Sequence, residues 1–142
     1  MPQFWLVKSE PDAFSWDQQV ANDVEPWTGV RNYMARNNLR AMKQGDLAFF
    51  YHSNEGKEIV GVVQVAREAY PDTTAEKGDW SAVDMKAVGP MPMPVTLAAI
   101  KADPRLADIA LVRQSRLSVM AISPEHWDLL CQMGKWSGQW KS

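Results

Sequence analysis

From Trp27 to Gly45 the chain reads WTGVRNYMARNNLRAMKQG, nineteen residues with four cations and no acid. Arg31, Asn32, Tyr33, Arg36, Asn37 and Asn38 crowd this stretch with guanidinium, amide and aromatic groups. A carboxamide offers both a donor and an acceptor. A guanidinium makes forked bonds to phosphate, and a flat ring stacks on any base. Together these types suit an unstacked nucleobase held on its phosphate chain. Asparagine is a poor helix former, so a run of them needs a local reason.

Trp27 and Trp80 sit beside loop residues, Thr28-Gly29 and Gly78-Asp79, and are candidate walls for a base, with Tyr33 third. Extruding a base costs a few kcal/mol, while one aromatic stack returns about 1–3 kcal/mol. One ring roughly breaks even and a sandwich wins. Trp27→Ala is therefore expected to weaken binding and spare the fold. Asn32 and the backbone of Lys8-Ser9 at a strand end can read the base edge, although Asn32 can equally cap a helix. Ser53 and Ser118 can face the mouth of a small barrel or satisfy turns. His52, ending an apolar strand, is either a base contact or a satisfied rim histidine. Arg31, Arg36 and Arg116 are the candidate phosphate ligands, with Glu10 an alternative partner for Arg116.

Several function classes are excluded. Net charge is only −2, so the protein is no general polyanion binder. Glu10, Asp12, Asp17, Asp23 and Glu25 precede the basic stretch without an intervening cation. The two segments either neutralise each other or leave a local positive rim. The single cysteine, Cys131, permits no internal disulfide and no Cys-based zinc cluster. His52 and His126 lack metal-ligand spacing, and no Asp/Glu cluster accompanies them, so no metal is expected. A Gly-rich phosphate loop is also missing, and no cofactor is expected. No signal peptide opens the sequence and no apolar run nears the roughly 20 residues of a membrane span. A monomer without membrane contact is expected, cytoplasmic, or nuclear if the source has a nucleus.

The elements that must position these groups are short. Phe4–Val7 reads as a strand, Ser15 and Gln18 have capping-box spacing for a helix over 16–21, and Pro26–Gly29 breaks the chain. Ala35, Leu39 and Met42 share one face of a helix over 31–43, with Arg36, Arg40 and Lys43 as a solvated stripe. Arg31 in its first turn opposes the helix dipole. Residues 47–52 and 59–66 are strands, with Gly61 marking a bend or a close approach. Val83–Val88 alternates as a strand, and Pro90, Pro92 and Pro94 mark an extended loop. Thr96 caps a short helix ending at Asp103-Pro104, Arg116–Ile122 is the last strand, and Ser123-Pro124 opens a final helix. One domain over 1–142 is expected, with a tail at 135–142 carrying Trp136 and Trp140 that can dock or fray. Buried surface at this length is roughly 68–70% of the unfolded chain's, enough for a core.

Trp5-Leu6-Val7-Lys8-Ser9-Glu10-Pro11, Trp27 with Gly29-Val30-Arg31-Asn32-Tyr33, Ala35-Arg36-Asn37, Gly45-Asp46, Phe50-Tyr51-His52-Ser53-Asn54 and Arg116-Leu117-Ser118-Val119 occur in order. Together these blocks resemble an EVE domain over most of the chain. The resemblance implies an α+β fold, a PUA-like small mixed β-barrel of five or six strands flanked by helices, shared with PUA, ASCH and YTH domains. It also implies a binding module that reads a modified base, with modified cytosine leading, in DNA or RNA. YTH relatives use an aromatic cage. Met34 departs from the family pattern, where a glutamine usually follows the tyrosine. ASCH relatives include amidohydrolases with a lysine, a hydroxyl residue and a carboxylate, types present at Lys8, Ser9 and Glu10. Alternation along a strand points Ser9 away from the other two, so no catalytic residue is assigned. Trp136 and Trp140 leave a protein-interaction module as a third reading.

Overall fold

Trp5, Leu6 and Val7 are consecutive and all buried, so the first strand is covered on both faces. The computed structural model describes residues 3–137. Strand β1 (Phe4–Ser9) pairs in parallel with β3 (Leu47–His52) and antiparallel with β6 (Val119–Ile122). A parallel pair needs a crossover. The crossover here carries α1 (Trp16–Asn22), β2 (Val24–Pro26) and α2 (Tyr33–Ala41). Two long strands, β4 (Glu58–Pro71) and β5 (Ser81–Thr96), complete a sheet of order β2-β5-β4-β3-β1-β6. Helices α3 (Leu97–Ala102) and α4 (Ala110–Arg113) precede β6, and α5 (Pro124–Gly134) follows it. The fold is mixed α+β with six strands. Among the described residues no pairing joins β2 to β6, so the ladder stays open.

The capping box at Ser15 and Gln18 forms, and Thr96 and Ser123 cap α3 and α5 through their hydroxyls. Three expectations change. Helix α2 starts at Tyr33, with Asn32 as its N-cap, so Arg31 lies outside the helix and no dipole conflict arises. Pro90, Pro92 and Pro94 lie inside β5 rather than in a loop. The β2 side bonds β5 only over Val83–Ala87, and the β4 register jumps between Gly61↔Pro90 and Ile59↔Val95. The prolines therefore lie on an edge and at an irregularity, where a missing N–H is tolerated. The last strand begins at Val119, because the Leu117 N–H closes a turn onto Gln114 O at 3.0 Å.

Aromatic rings tie the crossover to the sheet. Trp127 lies between Phe4 and Phe49, stacked at centroid distances of 4.5 and 3.9 Å, so one aromatic sandwich belongs to the core. Trp16 packs against Gly61, where a Cβ would stand 2.5 Å from the indole. The close approach foreseen at Gly61 is this ring, beside a register shift in β4. Phe50 then meets Trp16 at 5.3 Å and Trp27 at 5.6 Å, both edge to face. This chain of rings fixes where Trp27 stands. Trp136 packs partly buried against the core, while Trp140 lies outside the described residues.

Candidate nucleic-acid interface

Trp27 follows β2, and its N–H donates to Val83 O of β5 at 2.7 Å. Its ring abuts Phe50 and, edge to face at 6.1 Å, Phe14. Only 8% of the residue remains exposed. It lines a cleft of about 410 Å³ between the end of β1 and the 25–32 connection. That volume lies in the range of roughly 300–1,000 Å³ typical of small-molecule sites. Lys8, Ser9, Arg31, Asn32 and Ser118 share the lining, so the structure brings six of the sequence candidates together. Phe14 and Glu25 line it too and were not foreseen as site residues, whereas Glu10, also in the lining, was considered only as a carboxylate beside Lys8 and Ser9 or a partner for Arg116.

Each polar group has a defined state. Asn32 Oδ1 accepts from the Ala35 N–H at 2.9 Å and so caps α2. The cap fixes the carboxamide, and among the described residues its amide nitrogen donates to no protein group. Lys8 Nζ donates to Ser115 O at 2.7 Å, and burial lowers its pKa. The Ser9 hydroxyl donates to Phe14 O. The backbone of Lys8-Ser9 was expected to read the base edge, but the Lys8 N–H donates to Ser118 O and Ser9 O accepts from the Ser53 N–H, each at 2.9 Å. Those two groups are consumed by the fold.

The cleft wall at Gly29–Arg31 is fastened by a residue the sequence reading missed. Asp72, in the β4–β5 connection, accepts from the Gly29 N–H at 2.9 Å and from the Arg31 guanidinium at 3.0 Å. It also accepts from the Thr74 N–H and hydroxyl. Burial disfavours its charge, but bonds from Thr74, Gly29 and Arg31 outweigh that and hold the carboxyl well below the usual range. Pro71-Asp72-Thr73-Thr74 is an Asx-turn sequence, the one signal available beforehand. Arg31 is therefore neutralised by Asp72 rather than left free for phosphate.

The other candidates lie elsewhere. His52 Nε2 accepts from the Trp16 N–H at 3.0 Å, which ties β3 to α1. Its pKa is lowered by burial, against opposing pulls from Glu58 and Asp17. Ser53 does not line the cleft, its N–H being spent on Ser9. Trp80 is no opposite wall: it stacks on Tyr33 outside the cleft, at 5.0 Å and 20°. Arg36 packs over that pair. Arg116 is exposed and lines a second hollow of about 290 Å³ with Asn32 and Met34. It makes no ion pair with Glu10 among the described residues. The neighbouring asparagines also have structural uses, since Asn37 Oδ1 accepts from Arg36 and Asn38 Nδ2 donates to Val119 O.

The EVE domain model matches residues 3–133. The chain belongs to the EVE domain family. Thymocyte nuclear protein 1 of Gallus gallus is 37% identical over 91% of this EVE chain and 67% of its own length. An NMR structure from Rhodopseudomonas palustris is 58% identical, with a TM-score of 0.89 over 94% of this chain and 93% of its own. The human THYN1 protein, solved in complex with 5-methylcytosine-containing DNA, is 34% identical with a TM-score of 0.88, covering 94% of this chain and 98% of that one. An ASCH protein of Zymomonas mobilis, 12% identical with a TM-score of 0.60, shares the fold alone, which is the PUA-like architecture. Among the described residues of this EVE domain no His, Cys, Asp and Glu cluster could hold a metal ion. No helix among them is long and apolar enough to cross a membrane.

Proposed function

We propose that this single EVE domain binds a modified nucleobase, foremost a modified cytosine, in the Trp27 cleft. The observation that carries the reading is the lining itself: one indole wall, a capped and oriented Asn32 amide, and a polar rim within one hollow large enough to admit a base. The likeness to the human THYN1 protein, solved with 5-methylcytosine DNA, supports it. A base inside a duplex cannot reach such a cleft, so the nucleotide enters flipped or single-stranded.

The lining also favours cytosine. With Arg31 paired to Asp72, Lys8 shares the lining with Glu10 and Glu25, which makes the cleft electrostatically mixed rather than a phosphate trap. Cytosine presents an exocyclic amine that a carboxylate accepts, whereas thymine presents a carbonyl. Glu25, bonded by Asn22 Nδ2 at 2.9 Å, is the better-held of the two acceptors. A titration of free modified and plain nucleosides, then of short single strands, tests the proposal. Binding of modified cytidine above thymidine supports it, and indifference to the base removes it.

A hydrolytic reading rests on one observation: Lys8, Ser9 and Glu10 all line the cleft. Against it, the Ser9 hydroxyl is directed at Phe14 O and the Lys8 ammonium at Ser115 O. Acetate release from acetylcytidine, abolished in Lys8→Ala, would favour the enzyme.

A further inference from the structure

Outside the cleft, α2 and the β4–β5 connection build a second aromatic surface. Tyr33 and Trp80 stack nearly parallel, with centroids 5.0 Å apart and planes 20° from each other. Tyr33 is nonetheless 67% exposed, the most exposed large apolar residue among those described. The pair is held before any ligand arrives. Arg36 and Arg40 both donate to Asp79 O, at 3.0 and 3.1 Å, and Arg40 also bonds Ser81 Oγ. Gly78 has φ +92°, and a Cβ there would stand 2.6 Å from the Trp80 indole nitrogen. The indole thus folds back over a glycine that no other residue could replace without strain.

Around the rings one cation is left without a carboxylate among the described residues. Arg36 lies 5.0 Å from the Tyr33 centroid and 5.8 Å from that of Trp80. Arg40 pairs with Asp79 and Arg31 with Asp72, whereas Arg36 has no carboxylate partner among the described residues. Arg31 also joins the two surfaces, since it lines the cleft and stands 5.7 Å from the Trp80 ring. An exposed flat ring beside an unneutralised guanidinium is the arrangement that single-stranded nucleic acids stack on.

We infer that the Tyr33–Trp80 pair is a stacking platform for the nucleobase next to the one in the cleft, with Arg36 on the intervening phosphate. The inference rests on the cleft reading and extends it from one base to at least two adjoining nucleotides. Because every base has a π-face, the platform adds affinity without reading sequence.

The test compares 5-methyl-2′-deoxycytidine with a seven-nucleotide single strand carrying that base at its centre. Tyr33→Ala should weaken strand binding roughly tenfold, the order of one lost stack, with nucleoside binding unchanged. Tyr33→Phe should restore the strand, and Arg36→Gln should flatten the salt dependence by about 0.7 in log–log slope, one phosphate's share on a single strand. Equal strand affinity for wild type and Tyr33→Ala would overturn the platform, as would equal losses for strand and nucleoside. A strand that binds and responds to Tyr33→Ala while the nucleoside does not bind would leave the platform standing and remove the cleft reading. Failure of both strand and nucleoside to bind would remove both readings, and a nucleoside that binds while the strand does not would remove the platform alone.

Discussion

The Asp72 carboxylate, with a fully buried side chain, stands 3.0 Å from the Arg31 guanidinium and 2.9 Å from the Gly29 N–H. One side chain from the β4–β5 connection therefore fixes the loop that walls the cleft. Arg31 keeps 39% of its side chain exposed, so water screens part of the attraction. Asp72→Asn should cost about 1.5–3 kcal/mol, the range for hydrogen bonds to a charged group. Urea unfolding of the variant against wild type measures this. An unchanged midpoint would mean the loop holds its place without the ion pair.

The same carboxylate gives a pH signature. Its folded pKa lies below the ordinary 3.8 of aspartate. Above 3.8 the group is ionised in both states and its stabilisation is complete. As pH falls below that value the unfolded chain takes up the proton first, and the advantage shrinks until the folded group is protonated too. The gap in melting temperature between wild type and Asp72→Asn should hold steady from pH 7 to pH 5. It should narrow as pH drops below about 4.

Trp27 belongs to the core and to the cleft at once. Sequence alone predicts that Trp27→Ala spares the fold, but burial against Phe50 and Phe14 reverses that expectation. The truncation should cost about 3–5 kcal/mol and abolish base binding with it. Denaturant unfolding checks the stability, and a melt equal to wild type would show that the indole contributes little to packing.

Asn32 allows its two roles to be separated. Aspartate also caps helices well, so Asn32→Asp keeps an acceptor for the Ala35 N–H while removing the free amide donor. Its melt should match wild type while base binding falls tenfold or more, a loss of about 1.4 kcal/mol or greater. Asn32→Ala should lose binding and in addition about 1 kcal/mol of stability. Isothermal titration with a modified nucleoside and thermal unfolding give the two readouts.

Much of this architecture was legible in the residues. Apolar runs at Phe4–Val7 and Leu47–His52, and the hydroxyl caps at Ser15, Thr96 and Ser123, act locally and leave local signals. The prolines of β5 misled because their cost depends on whether a neighbouring strand needs their N–H groups, which is a tertiary fact. The site divided in the same way. Trp27, Asn32, Lys8 and Ser118 converge from segments far apart in sequence. Trp80, by contrast, shares every sequence attribute of a cage residue and yet stacks on Tyr33 outside the cleft. Asp72 escaped notice because its partners, Gly29 and Arg31, lie more than forty residues away. No periodicity encodes a contact of that separation.

The most direct measurement is the affinity of the wild-type protein for two short single strands that differ only by the methyl on one central cytosine, taken across a salt series. One added carbon in an apolar pocket supports about ten- to hundredfold discrimination, and that ratio should persist as salt weakens both complexes together. Equal affinities at every salt concentration would contradict the account, because they would show a protein that holds phosphates and ignores the base.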